Sequence, residues 1–219
     1  AAFYPLKYLV EHIGGERVEV TSLTPDGAEP HDLELSPSAI AELSSADAVV
    51  YLSGFQAAVD DAIDQAAPAT VIDVADAAQL VDASDEGNHA SDAHEDEDEA
   101  ESHDHADAST DPHFWLDPDR MAQAATAIGQ ALASADSEHA QTYTANAADL
   151  ASSLKTLSAD LVTGTATCES HTFVTAHAAF GYLADRTGLT QVAIAGLDPE
   201  SSPSPARLQE IPELVKAEG

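Results

Sequence analysis

The chain has 219 residues and 44% apolar content, room for one large domain or two small ones, yet it sets 40 Asp and Glu against 7 Lys and Arg, a net charge of −33. Nucleic acid is excluded as a partner, because phosphate binding needs the basic side chains that this chain lacks. A single cysteine, Cys168, excludes an internal disulfide and a thiolate zinc site, and no run approaches the roughly 20 apolar residues of a membrane span.

Apolar residues at Leu6, Tyr8, Leu9 and Ile13 predict a helix after Pro5 that stops at Gly14-Gly15. Val18–Leu23 alternates as a strand should. A polar turn through His31 leads to Ser36-Pro37, a cap followed by a first-turn proline, and so to a second helix. The apolar run Ala48–Leu52 predicts a strand of a parallel sheet, followed by a helix over about 55–66 and a strand over 70–74. Alternating strands and helices make the class α/β.

Residues 85–107 then hold eleven acids and four histidines, His89, His94, His103 and His105, with no large apolar residue, so this stretch reads as a disordered acidic loop spanning 85–110. Its histidines are either idle in a solvated spacer or a set of weak, exchangeable metal sites. Without the eleven acids, 29 still face 7 bases, so the excess covers the folded surface. Adaptation to a high-salt medium, where charge is strongly screened, explains this better than attraction of cations to a site.

Order resumes at Asp111-Pro112-His113-Phe114-Trp115-Leu116-Asp117-Pro118, where Phe114 and Trp115 read as packing anchors and Asp117-Pro118 opens a helix to about 134. A helix over roughly 137–163 would be about 40 Å long and reads as a rigid strut between two lobes. Thr172–His177 is strand-like, Ala178–Thr187 helical, Gln191–Ile194 strand-like, and Ser204-Pro205 opens a last helix interrupted by Pro212. The expected organisation is an N-terminal α/β lobe over 1–116, a helical segment over 117–163, and a C-terminal α/β lobe over 164–219 that lacks its closing strand. Cys168 is expected to be a small buried hydrophobe; His12, His139 and His171 are expected at the surface.

His31 follows a predicted strand, His113 precedes a capped helix, and His177 stands where a strand hands over to a helix. In open α/β sheets, ligands gather outside the carboxyl ends of strands. Three imidazoles there suit zinc in tetrahedral coordination, with water or a carboxylate as fourth ligand, whereas manganese favours more oxygen donors. A zinc hydrolase would add a general base beside a ligand, and no H-E-x-x-H pairing occurs. A passive surface buffer or adhesin would show many weak sites and no tight one.

Gly27-Ala28-Glu29-Pro30-His31-Asp32, Asp111–Pro118 and Thr175-Ala176-His177-Ala178-Ala179-Phe180-Gly181-Tyr182-Leu183, with Phe3–Leu6 and Ile13–Gly15, resemble in order and spacing the ZnuA-like zinc-binding proteins of the cluster A-I solute-binding family. The resemblance implies a TroA-like, chelatase-like fold: two lobes with four-stranded parallel sheets flanked by helices and joined by the long helix. It also implies an extracytoplasmic monomer, anchored through a segment preceding Ala1, that carries Zn2+ to the permease of an ABC importer. The ligands it implies are His31, His113 and His177, with the family's acidic fourth ligand expected beyond Gly219. Manganese carriers of the family have glutamate at the third position, so His177 favours zinc.

Overall fold

The computed structural model describes residues 1–82 and 110–218, which fall into two units: Ala1–Gln79 with Asp117–Thr163, and Leu80–Leu116 with Gly164–Gly219. The described residues 80–82 and 110–116, which the sequence reading joins to the first lobe, group with the C-terminal stretch. His89, His94, His103 and His105 lie outside the described residues.

In the first unit, α1 (Tyr4–Gly14) carries Pro5 in its first turn, where a missing N–H is harmless, and buries Leu6, Leu9, Val10 and Ile13. Each such burial stabilises the fold by about 1.5–3 kcal/mol. Gly15, at φ 54°, ends the helix in a conformation that side chains resist. Ser36 caps α2 (Pro37–Ser45), its Oγ accepting the Ala39 N–H at 3.2 Å. Strands β1 (Val49–Tyr51) and β2 (Val71–Asp73) pair in parallel with Val50 opposite Ile72, and α3 (Ala57–Ala66) is the crossover between them.

No strand forms over Val18–Leu23, in contrast to its alternation. The Leu23 and Thr24 N–H groups bond the Ala1 and Ala2 carbonyls at 2.9 and 3.0 Å, and Ala2 N–H bonds Val50 O at 2.9 Å. The Ala1 ammonium group also donates to the Thr21 carbonyl at 2.8 Å, so residues 21–24 run beside Ala1–Ala2, which in turn bonds β1. Among the described residues each sheet has two strands.

The short α4 (Ala75–Ala78), which no periodicity announces, packs on α5 (Pro118–Ala135), as does α1. Asp117 caps α5 by accepting the Asp119 N–H at 2.9 Å. Helix α6 (Ala140–Thr165) has 26 residues, about 39 Å of rise. It meets α5 at Gly129, where an added Cβ would overlap the Ala147 Cβ. Between the two helices Asp136 Oδ2 accepts from Tyr143 Oη and contacts His139 Nδ1, both at 2.8 Å. The tyrosine bond first, and then the histidine bond, hold the Asp136 carboxyl below its ordinary pKa of 3.8.

In the second unit β3 (Thr172–Thr175) and β4 (Thr190–Ala193) pair in parallel with Val174 opposite Val192, joined through α7 (Gly181–Thr187), which ends at Gly188 with φ 69°. Helix α8 (Pro205–Glu218) runs through Pro212 without interruption. One ladder N–H is lost there, a local cost of about 3 kcal/mol that the rest of the helix absorbs. Cys168 is exposed, contrary to expectation, because it sits in the polar turn that leaves α6 and never reaches the sheet. Among the described residues no helix is long and apolar enough to cross a membrane.

The α5–α6 contact predicts that Gly129→Ala destabilises the protein by about 1–3 kcal/mol in chemical denaturation, as overpacking does, and that Ala147→Gly in the same chain restores most of the loss. The Asp136 cluster gives a pH signature. A depressed carboxyl pKa stabilises the fold above the ordinary value and loses that contribution as pH falls through the folded value. Asp136→Asn should lower the melting temperature near neutral pH, and the gap from wild type should narrow on acidification below 3.8.

Candidate metal centre

His113 is placed by its own neighbours in sequence. Asp111 Oδ1 accepts the His113 backbone N–H at 2.9 Å, closing a turn of the kind that aspartate makes with the residue two positions on, and lies 2.7 Å from His113 Nδ1. Both side chains are fully buried, at 0% and 2% exposure. A ring whose Nδ1–H is held by a carboxylate is fixed in tautomer and orientation and directed to ligate through Nε2. Buried Phe114 and half-buried Trp115 wall the turn, Trp115 standing edge-on to His113 at a centroid distance of 5.2 Å.

Asp111 Oδ2 is buried with no hydrogen-bond partner among the described residues. Such an oxygen in apolar surroundings is costly, roughly 1–3 kcal/mol. A carboxylate kept there fits a centre that takes a cation.

His177 lies just past β3, and its backbone is anchored from three sides. Its carbonyl accepts the Ala179 N–H at 2.9 Å, the Thr175 hydroxyl at 2.8 Å and the Gln191 amide at 3.1 Å. Gln191 Nε2 also donates to Thr175 Oγ1 at 2.7 Å, locking β4 to the end of β3. Within this unit the rings of His113 and His177 stand 5.3 Å apart between centroids, with planes at 59°. Two imidazoles at that separation suit the short Zn–N bonds of about 2.0–2.1 Å to a shared ion.

His31 belongs to the first unit, in the turn after Pro30. Its N–H donates to Glu29 Oε1 at 3.2 Å, and its ring stands edge-on to Phe55 at 4.9 Å. Buried Gln56 donates to the Pro30 carbonyl at 2.8 Å and to Thr24 Oγ1 at 3.0 Å, and Thr24 in turn donates to the Ala2 carbonyl at 2.9 Å. A chain of bonds thus ties the His31 turn to the edge of β1. His12 and His171 are exposed, and half-buried His139 serves the Asp136 cluster.

Sequence reasoning named the three histidines and missed what holds them. Asp111 was legible in principle from the Asp-x-His spacing. Gln56, Phe55 and Gln191 carried no signal, since each is distant in sequence from the histidine it serves.

The family model of the zinc-uptake complex component A, periplasmic (ZnuA), matches residues 1–219. The chain belongs to this family. It is 34% identical over 221 residues to the zinc-binding protein AdcA of Streptococcus pyogenes, covering 99% of this chain and 43% of that protein. Against the high-affinity zinc uptake system protein ZnuA of Bacillus subtilis it is 31% identical over 214 residues, 98% of this chain and 66% of that one. The crystal structure of Zn(II)-bound AdcA from Streptococcus pneumoniae superposes with a TM-score of 0.75 at 30% identity, over 99% of this chain and 43% of that one. The chain therefore spans less than half the length of the AdcA relatives it matches.

Asp111→Asn keeps the shape and gives up the charge. It should weaken zinc binding about ten- to a hundredfold in chelator competition, as loss of an outer partner does.

Proposed function

We propose that the chain is the metal-capturing part of an extracytoplasmic zinc carrier, which hands Zn2+ to the membrane permease of an ABC importer. The observation that carries the reading is the pair His113 and His177 in a member of the zinc-uptake family, with one ring fixed through Nδ1 by a buried carboxylate. In the proposal half-buried His31, buried His113 and half-buried His177 supply three nitrogens to one ion. Water or a carboxylate completes the tetrahedron, a nitrogen-rich set that prefers zinc to manganese. The carrier acts as a monomer held at the membrane, and α6 serves as a stiff strut. His89, His94, His103 and His105 collect ions weakly and pass them to His113.

A carrier also fits better than a hydrolase. The relatives' names describe zinc binding and uptake, and no Glu stands beside a ligand histidine in the pairing that activates a metal-bound water.

Titration with zinc and manganese in competition should find one tight zinc site and a clear preference for zinc. His31→Ala, His113→Ala and His177→Ala should each cost more than the ten- to hundredfold of an outer-partner loss. Deleting 85–108 should leave that site and reduce only the weakly bound ions. Preference for manganese, or a tight site insensitive to His177→Ala, would overturn the proposal.

A further inference from the structure

Val81 and Asp111 face one another in the antiparallel register set by the Asp82–Thr110 bridge. Residues so placed ordinarily exchange two bonds. One is present, the Asp111 N–H donating to the Val81 carbonyl at 2.9 Å. The other is relayed through a side chain: Tyr182 Oη accepts the Val81 N–H at 3.0 Å and donates to the Asp111 carbonyl at 2.7 Å. Tyr182 is 2% exposed and stands in the first turn of α7, five positions beyond His177.

We infer that Tyr182 is a positioning residue for the metal centre, whose hydroxyl sets where the His113 turn stands relative to His177. The inference rests on the zinc-site reading above. Tyr182 holds Asp111 from the backbone side, and Asp111 holds His113 by N–H and ring. The hydroxyl is therefore the link between the segment that carries His177 and the turn that carries His113. Packing alone needs only the ring. A hydroxyl wedged into a ladder, with its donor and its acceptor both used, holds the Asp111 carbonyl off the Val81 N–H at one defined separation. Without it, either the buried Asp111 carbonyl and the half-buried Val81 N–H lose their partner or the ladder closes directly and draws Asp111 towards Val81. In both cases His113 shifts against His177.

The test compares wild type, Tyr182→Phe and a chain with 4-aminophenylalanine at 182, which keeps a donor and an acceptor on the ring. Each is measured for the apo melt, for zinc affinity by chelator competition, and for the d–d absorption of bound Co2+, which reports ligand geometry. Expected for Tyr182→Phe are a cooperative apo melt, one bound ion, a zinc affinity about ten- to a hundredfold lower and an altered Co2+ spectrum. The amino analogue should recover both affinity and spectrum. Wild-type affinity and spectrum in Tyr182→Phe, or no recovery with the analogue, would overturn the inference. So would a Tyr182→Phe chain with no cooperative melt, since the hydroxyl would then serve the fold and not the site. His113→Ala and His177→Ala, run alongside, separate the two proposals: if neither weakens zinc, the zinc-site reading itself fails.

Discussion

The contact between Asp111 and His113 is the constraint around which the second unit is arranged. A carboxylate withdrawn from water loses several kcal/mol of hydration unless donors are supplied. Here one oxygen receives both a backbone N–H and the imidazole Nδ1. That requirement makes the turn tight and puts Pro112 between the two residues. The short 3-10 turn Phe114–Leu116 follows, with Phe114 buried. The second oxygen has no hydrogen-bond partner among the described residues, which makes the arrangement costly.

The three candidate ligands are held in three physically different ways. His113 is fixed at its ring by a charge, His177 at its backbone by three donors to one carbonyl, and His31 by an aromatic edge and a turn fastened through Gln56. The first fixes ring orientation; the second fixes backbone position. In the third, the edge-on aromatic contact contributes about 0.5–1.5 kcal/mol beyond burial.

Two of the seven cations, Arg120 and Arg207, donate to backbone carbonyls. Arg120 bonds the Ala78 carbonyl at 2.8 Å and the Gln79 carbonyl, closing the end of α4 onto α5, and its Nε lies 3.5 Å from Asp117. Arg207 donates to the Ala193 carbonyl at 2.9 Å, fastening α8 to the end of β4, and pairs with Glu210 at 3.2 Å. These guanidinium groups act as structural donors, so the acidic surface is left largely unneutralised. Such a surface relies on ionic screening to limit its self-repulsion.

The α/β class, the helix starts at Pro5, Ser36-Pro37, Asp117-Pro118 and Ser204-Pro205, and the candidacy of His31, His113 and His177 were all determined by the sequence alone. Caps, prolines and apolar spacing act within a few residues, and the histidine motifs are contiguous. Other features were decided only by tertiary structure. Val18–Leu23 has the right alternation but forms no strand in the structure. Residues 80–82 and 110–116 meet the C-terminal stretch where Tyr182 binds Val81 and Asp111, a contact made across 71 residues between Asp111 and Tyr182. Cys168 is apolar enough for a core but falls in a turn. Which side chains hold the ligand histidines depends on pairings such as Gln191 with His177 and Gln56 with Pro30. Those pairings exist only once separate segments have been packed together, and no local pattern encodes them.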